Sequence, residues 1–150
     1  MAILLLILQL IGTWFLVGLI WTIQVVHYPL FAGVGADRFI DYQHAHARLI
    51  TLVVGPLMLI EAATALLFLT IRPAGIPAWV AWTGAALLLV IWVSTALIQV
   101  PDHGRLAGGF DVDVHHRLVT TNWIRTICWT ARGCLLAWAT WSLLTAVRGG

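Results

Sequence analysis

Residues 2–26 read AILLLILQLIGTWFLVGLIWTIQVV, an almost unbroken run of apolar side chains. A helix needs about 20 such residues to cross the hydrocarbon core of a bilayer. Three further segments are comparably apolar, at 49–71, 78–100 and 118–147. The chain of 150 residues is 61% hydrophobic and only 9% charged, which excludes an ordinary soluble domain. These features predict an all-α fold, a polytopic membrane four-helix bundle.

Turn-forming residues divide the chain into helices and short connectors. Glycine and proline positions predict helices at 2–32, 41–70, 78–101 and 113–148. A Gly-rich polar loop is expected at 102–113, between the third and fourth helices. We expect a single transmembrane domain over residues 1–150.

Two parts of the sequence resemble each other. IQV occurs at 23–25 and again at 98–100, and HARLIT at 46–51 is matched by HHRLVT at 115–120. Internal similarity of this kind is typical of a duplicated structural unit. We therefore predict two tandem helical-hairpin repeats, the first at 1–72 and the second at 78–148. The alternative is a coincidence between two helix-start segments.

All six histidines are expected at one membrane surface. With four spans, the connector between helices one and two lies on the same face as the connector between helices three and four. Histidine is the commonest metal ligand, and helix bundles build metal sites from side chains on facing helices. The repeat offers one histidine from each helix, so we predict His27, His46, His103 and His115 as metal ligands.

Two kinds of cofactor are compatible with this ligand set. A haem would take two axial histidines, with Arg48 and Arg117 pairing its propionates. Non-haem iron or copper would take three or four histidines, with Asp102 as a further ligand or as the acid–base group. Gln24 and Gln99 lie about one turn before the first histidine pair and are expected to contact the cofactor. The alternative is that the histidines only cap helix ends in the head-group region.

Polar groups also occur deeper in the predicted spans. A charge at the bilayer centre costs roughly 2.5–3.5 kcal/mol, so such residues normally find partners. The repeat offset places Glu61 and Arg132 at similar depth, and we predict an ion pair between them. Asn122 and Arg125 are three residues apart and therefore share one helix face. They are expected to form the floor of a pocket below the histidines, as candidate catalytic residues, or else a helix-packing network.

Part of the second half resembles a known family. The residues concerned are Val100-Pro101 followed by Leu106, and Asn122 with Arg125-Thr126. They are similar to the C-terminal motifs of the small four-helix anthrone oxygenase-like membrane proteins. The resemblance covers roughly 30 residues, and His103 and Thr121 depart from the family pattern. It implies a four-helix fold, oxygen-linked redox chemistry and site roles for Asn122 and Arg125, but it transfers no substrate.

The sequence as a whole favours a membrane-embedded, oxygenase-like oxidoreductase with a histidine-rich haem or non-haem metal site near one membrane face. The alternative is a non-catalytic haem- or pigment-binding subunit of a larger membrane complex, so enzymatic activity is left open. The expected partners are the lipid bilayer, a lipophilic small-molecule substrate and, in the alternative, other membrane subunits. No basic run suits nucleic acid. We expect an integral membrane protein of the bacterial inner (cytoplasmic) membrane.

Overall fold

The computed structural model describes residues 1–148 and places nearly all of them in four helices, which confirms the all-α prediction. We label these helices α1 (Ala2–Gly33), α2 (Phe39–Thr70), α3 (Ala78–Leu106) and α4 (Val112–Arg148). Each of α1 and α3 contains a short π-helical segment, and α1 ends in a 3₁₀ turn. No β-strand occurs among residues 1–148.

The four helices form one bundle. Helices that follow one another in the chain pack together, and α4 also packs against α1. The connectors are short, at 34–38, 71–77 and 107–111, so successive helices run antiparallel. The contact between α2 and α3 is the least extensive of the four interfaces. This interface therefore leaves more room between its helices than the other three do.

The third helix is longer than the sequence predicts. Its helical structure continues through Pro101 to Leu106, whereas a loop was expected from residue 102. A proline inside a helix normally clashes with the carbonyl group four residues earlier. Here the π-helical segment Thr95–Gln99 ends two residues before Pro101 and loosens the helix at that point. The segment Ile23–His27 stands in the same position before Pro29, so both hairpins use this device. The duplication of the whole unit remains a prediction.

Helices α1, α2 and α3 are long and apolar enough to cross a membrane. Their outward faces carry exposed leucine and valine side chains, which is compatible with lipid contact. In contrast, α4 is less apolar because it carries several arginines, and its span remains a prediction. Arg125 and Arg132 of α4 are buried inside the bundle, where each has polar partners. These findings support a membrane protein.

The predicted ion pair between Glu61 and Arg132 is confirmed. The Nε atom of Arg132 lies 3.0 Å from a carboxylate oxygen of Glu61, and both side chains are almost completely buried. The same carboxylate accepts hydrogen bonds from Thr13 at 2.6 Å and from the Trp129 indole at 3.0 Å. Arg132 also donates to the carbonyl oxygen of Gly84 at 2.6 Å. Groups from all four helices therefore meet at this point, and the pair fixes how the helices are packed.

Candidate functional site

A cavity of about 240 Å³ lies inside the bundle, and all four helices contribute to its wall. Most of the wall is apolar, including Leu16, Ile20, Ile23, Val54 and Met58. The polar side chains of the wall include Tyr28, Gln99, His103 and Arg125. No acidic side chain lines the cavity among the residues that the structure describes. The cavity therefore combines an apolar body with a polar, cationic region.

The cavity reaches the protein surface between α2 and α3. Thr51 of α2 and Val100 of α3 both line it, and both are exposed on the outside of the bundle. Gly55, one turn after Thr51, also lines the cavity and presents no side chain there. The helices α2 and α3 also pack less extensively than the other neighbouring helices, which leaves room for an opening at this seam.

His103 is held by two side chains at the edge of the cavity. Its Nδ1 atom lies 2.8 Å from the Gln43 amide nitrogen, and its Nε2 atom lies 2.9 Å from the Tyr28 hydroxyl. Gln43 also donates to the backbone carbonyl oxygen of His103, which can only accept, so the amide nitrogen faces His103. Nδ1 is then an acceptor, and the neutral ring carries its proton on Nε2 and donates it to Tyr28.

Arg125 is a buried cation whose hydrogen-bond partners are all neutral. Its Nε and Nη2 atoms donate to the side-chain oxygen of Asn122 at 2.9 and 2.5 Å, and Nη2 also donates to the Tyr28 hydroxyl at 3.2 Å. Asn122 in turn donates to Gln24 at 2.8 Å, and Gln24 donates to the backbone of Val119 at 3.0 Å. This chain of hydrogen bonds orients Arg125 against the cavity. Asn122, Arg125 and Gln24 therefore belong to one hydrogen-bond network.

Two of the predicted ligands, His27 and His46, form a direct contact. His27 Nε2 and His46 Nδ1 lie 2.9 Å apart, and the ring of His46 is 5.3 Å from that of His103 between centroids. The remaining nitrogen of His46, Nε2, is buried and makes no hydrogen bond. Outside the pair lies an open groove of about 370 Å³, bordered by Leu49 and Val53. Three histidines are therefore neighbours, and one pair of them is accessible from outside the bundle.

The fourth predicted ligand, His115, lies apart from these three. Its Nε2 atom donates to the carbonyl oxygen of Tyr28 at 2.8 Å, and its ring packs against Phe31 and Phe110. The same carbonyl also accepts from the backbone N–H of Phe31. His115 therefore ties α4 to the backbone of α1 near its end, and its role as a ligand stays a prediction.

The remaining predicted site residues are placed elsewhere. Arg117 forms an ion pair with Asp102, whose carboxylate is completely buried and does not border the cavity. Arg48 is exposed and forms no ion pair or hydrogen bond within residues 1–148. Gln99 does line the cavity, but its amide is bonded to Ser94 and Thr121.

The closest histidine nitrogens, those of His27 and His46, are 2.9 Å apart. The haem and the non-haem metal centre stay predictions, and so do their ligands. Among residues 1–148, no group of three or more His, Cys, Asp or Glu side chains is placed to hold a metal ion.

The sequence interpretation missed Tyr28 and Gln43. Gln43 is three residues before His46 and therefore lies on the same helix face. This spacing could have indicated that Gln43 contacts the histidine cluster. Tyr28 lies beside the predicted ligand His27, but nothing in the sequence shows that its hydroxyl meets both His103 and Arg125. Trp92 lines the cavity, and its indole N–H is buried without a hydrogen-bond acceptor.

No protein-family model, no curated protein and no solved structure matches the chain. The resemblance to the anthrone oxygenase-like proteins therefore rests on the short motif of the second half alone. Within that motif, Val100 and Arg125 line the cavity, and Asn122 is hydrogen-bonded to Arg125.

Proposed function

We propose that this protein binds a small lipophilic molecule that enters the cavity sideways from the bilayer. The observation that carries the proposal is the cavity itself, which is apolar along most of its wall and has Tyr28, His103 and Arg125 at its polar region. Small-molecule sites commonly have this composition, with apolar walls for affinity and a few polar groups for orientation. The polar head of the molecule would lie against these three side chains.

The dimensions of the site limit what it can bind. A volume of about 240 Å³ suits a molecule smaller than the drug-sized ligands that need roughly 300–1,000 Å³. The wall runs from Leu16 to Tyr28 along α1, which is roughly 18 Å at 1.5 Å per residue. A single short alkyl chain or a narrow ring system suits a space of this size. The opening beside Thr51 and Val100 supports entry from the lipid.

Filling the cavity tests this proposal. Gly55 lines the cavity, and an added Cβ atom would meet only Thr51 at 3.8 Å, an ordinary contact. Gly55→Leu should therefore be tolerated while its side chain occupies the binding space. Gly18→Leu is the matched control, because Gly18 is exposed and a Cβ there meets nothing within 4 Å.

The assay uses the full chain in phosphatidylcholine nanodiscs with eight-carbon probes that carry a photoreactive diazirine. Octanol and octanoate forms of the probe should label cavity residues such as Met58, as mapped by mass spectrometry. We expect the labelling to be lost in Gly55→Leu and kept in Gly18→Leu. Equal labelling of Met58 in both variants, or none in the unmodified protein, would show that the cavity is not a binding site.

A second candidate function is a metal-dependent membrane oxidoreductase with its metal at His27 and His46. Two neighbouring ligands of one metal, each with a bond of about 2 Å, lie roughly 3 Å apart, and the two histidine nitrogens lie 2.9 Å apart. The ion would be reached through the open groove beside Leu49, with water or substrate as the other ligands. Elemental analysis for iron, copper and zinc tests this candidate. A metal bound in stoichiometric amount should be lost in His27→Ala and kept in the exposed control His44→Ala.

A further inference from the structure

We infer that the molecule bound in the cavity carries an oxygen anion, such as a carboxylate, and that Arg125 and Tyr28 bind this group. The inference rests on the proposed binding function and assigns its ligand class. Three observations carry it: the balance of buried charges, the supply of hydrogen-bond donors, and the position of both at the cavity wall.

The first observation is the balance of buried charges. Glu61 is paired with Arg132, and the buried Asp102 is paired with Arg117. Arg125 is only 6% exposed and has no acidic partner within residues 1–148. Buried charges in proteins are normally paired, and this holds more strongly for a side chain inside a membrane. The bundle interior therefore carries one uncompensated positive charge, at the wall of the cavity.

The second observation is an excess of donors at the same place. Tyr28 accepts from His103 Nε2 and from Arg125 Nη2, so both lone pairs of its oxygen are used and its own O–H is left to donate. The Arg125 Nη1 group makes no hydrogen bond within residues 1–148. The indole N–H of Trp92, also at the wall, has no acceptor either.

The third observation is that, within residues 1–148, no acidic side chain supplies the missing acceptor. The side-chain oxygen of Gln43, beside His103, is buried without a hydrogen bond, but it is neutral and does not line the cavity. None of the wall residues described is acidic, and the Asn122 oxygen already accepts both bonds that Arg125 makes to it. The free Nη1 group of Arg125 and the neighbouring Tyr28 hydroxyl can each donate to one of the two oxygens of a carboxylate. A neutral alcohol would satisfy one donor and leave the charge uncompensated. An anion satisfies the donors and the charge together.

Competition between matched ligands tests the inference. Octanoate and octan-1-ol have the same chain and differ only in the head group, so each is titrated against the photoreactive octanol probe in phosphatidylcholine nanodiscs. Hydrogen bonds to charged groups are worth roughly twice those between neutral groups, so we expect octanoate to bind about tenfold more tightly than octanol. Arg125→Gln should weaken octanoate about tenfold and change octanol less than about twofold.

Two further variants complete the design. Tyr28→Phe removes one donor but keeps the buried cation, and it should weaken octanoate by a smaller factor than Arg125→Gln. Arg105→Gln is the matched control, because Arg105 is exposed and does not line the cavity. Repeating the titration with phosphatidylglycerol in the bilayer separates two sources of the anion. Weaker labelling by the neutral octanol probe there indicates that a lipid head group occupies the same site, and unchanged labelling indicates a free carboxylate.

The outcomes separate this inference from the proposed function. If octanol and octanoate bind equally, or Arg125→Gln leaves octanoate binding unchanged, the anion assignment is wrong while the cavity still binds a lipophilic molecule. If neither ligand competes and the probe does not label Met58, the proposed function fails as well.

Discussion

Removing the negative charge of Glu61 should destabilise the bundle strongly. Glu61→Gln keeps the shape of the side chain and one acceptor oxygen, but it leaves the Arg132 guanidinium, 1% exposed, without a counter-ion. Breaking a buried pair in this way typically costs about 3–5 kcal/mol, because an uncompensated charge remains buried. The remaining acceptors of Arg132, Gly84 and Gln9, are neutral and cannot compensate its charge. We therefore expect the unfolding equilibrium constant to rise more than about a hundredfold.

The assay is equilibrium unfolding in nonionic micelles titrated with dodecyl sulfate and followed by far-ultraviolet circular dichroism. The variants Glu61→Gln, Arg132→Met and their combination form a double-mutant cycle. The double variant carries no buried charge at this point, so its loss of stability should be at least about 2 kcal/mol smaller than the sum of the single losses. Exchanging the two residues, Glu61→Arg with Arg132→Glu, should restore part of the stability that Glu61→Arg alone removes.

The control is Asp37→Asn. Asp37 and Arg38 are 3.9 Å apart, but their side chains are 82% and 87% exposed, so removing this pair should change stability very little. The reasoning is refuted if Glu61→Gln costs less than about 1 kcal/mol, or if the coupling energy between Glu61 and Arg132 is close to zero. Either result would mean that the pair does not fix the packing of the helices.

Three further predictions concern other parts of the bundle. Gly84→Ala should cost about 1–3 kcal/mol in the same unfolding assay, because its Cβ atom would lie 2.9 Å from Arg132 Nη1. Arg117→Met should lower the unfolding midpoint by leaving the buried Asp102 carboxylate unpaired, and adding Asp102→Asn should recover most of the loss; no recovery would contradict the pairing. A nitroxide can be attached to the exposed Cys134 after Cys128 is replaced by alanine. It should collide more often with molecular oxygen, which dissolves in lipid, than with a water-soluble nickel complex. The opposite preference would place this face of α4 in water.

The helices could be predicted from the sequence because each one follows from the length of its own apolar segment. The ends were less predictable where proline is involved. Pro101 is a helix-stopping signal, and the predicted end of the third helix followed it, yet α3 continues to Leu106. The π-helical segment Thr95–Gln99 that accommodates the proline has no separate sequence signal. Its formation depends on how the helix packs against its neighbours.

The candidate site was predictable only in part. The spacing of Asn122 and Arg125 gave their shared face, and the depth of Glu61 and Arg132 gave their pairing, because both follow from helix geometry. The predicted set of four histidine ligands rests on the match between the two hairpins, and it stays a prediction. In the structure, His103 contacts Tyr28 and Gln43, and His115 contacts the backbone of Tyr28. These partners depend on small rotations of one helix against another, which sequence spacing does not specify.

By itself, the sequence determined that the chain forms long apolar helices, that its few charged groups inside those helices need partners, and that its histidines lie toward one end of the bundle. Each of these conclusions follows from local composition and from the fixed rise of a helix. Only the tertiary structure decided which charges are paired, and that Arg125 is the buried cation without an acid. It also decided that a cavity lies beside this cation and opens between α2 and α3. The physical reason is that charge compensation and cavity shape depend on distances of a few ångströms between helices.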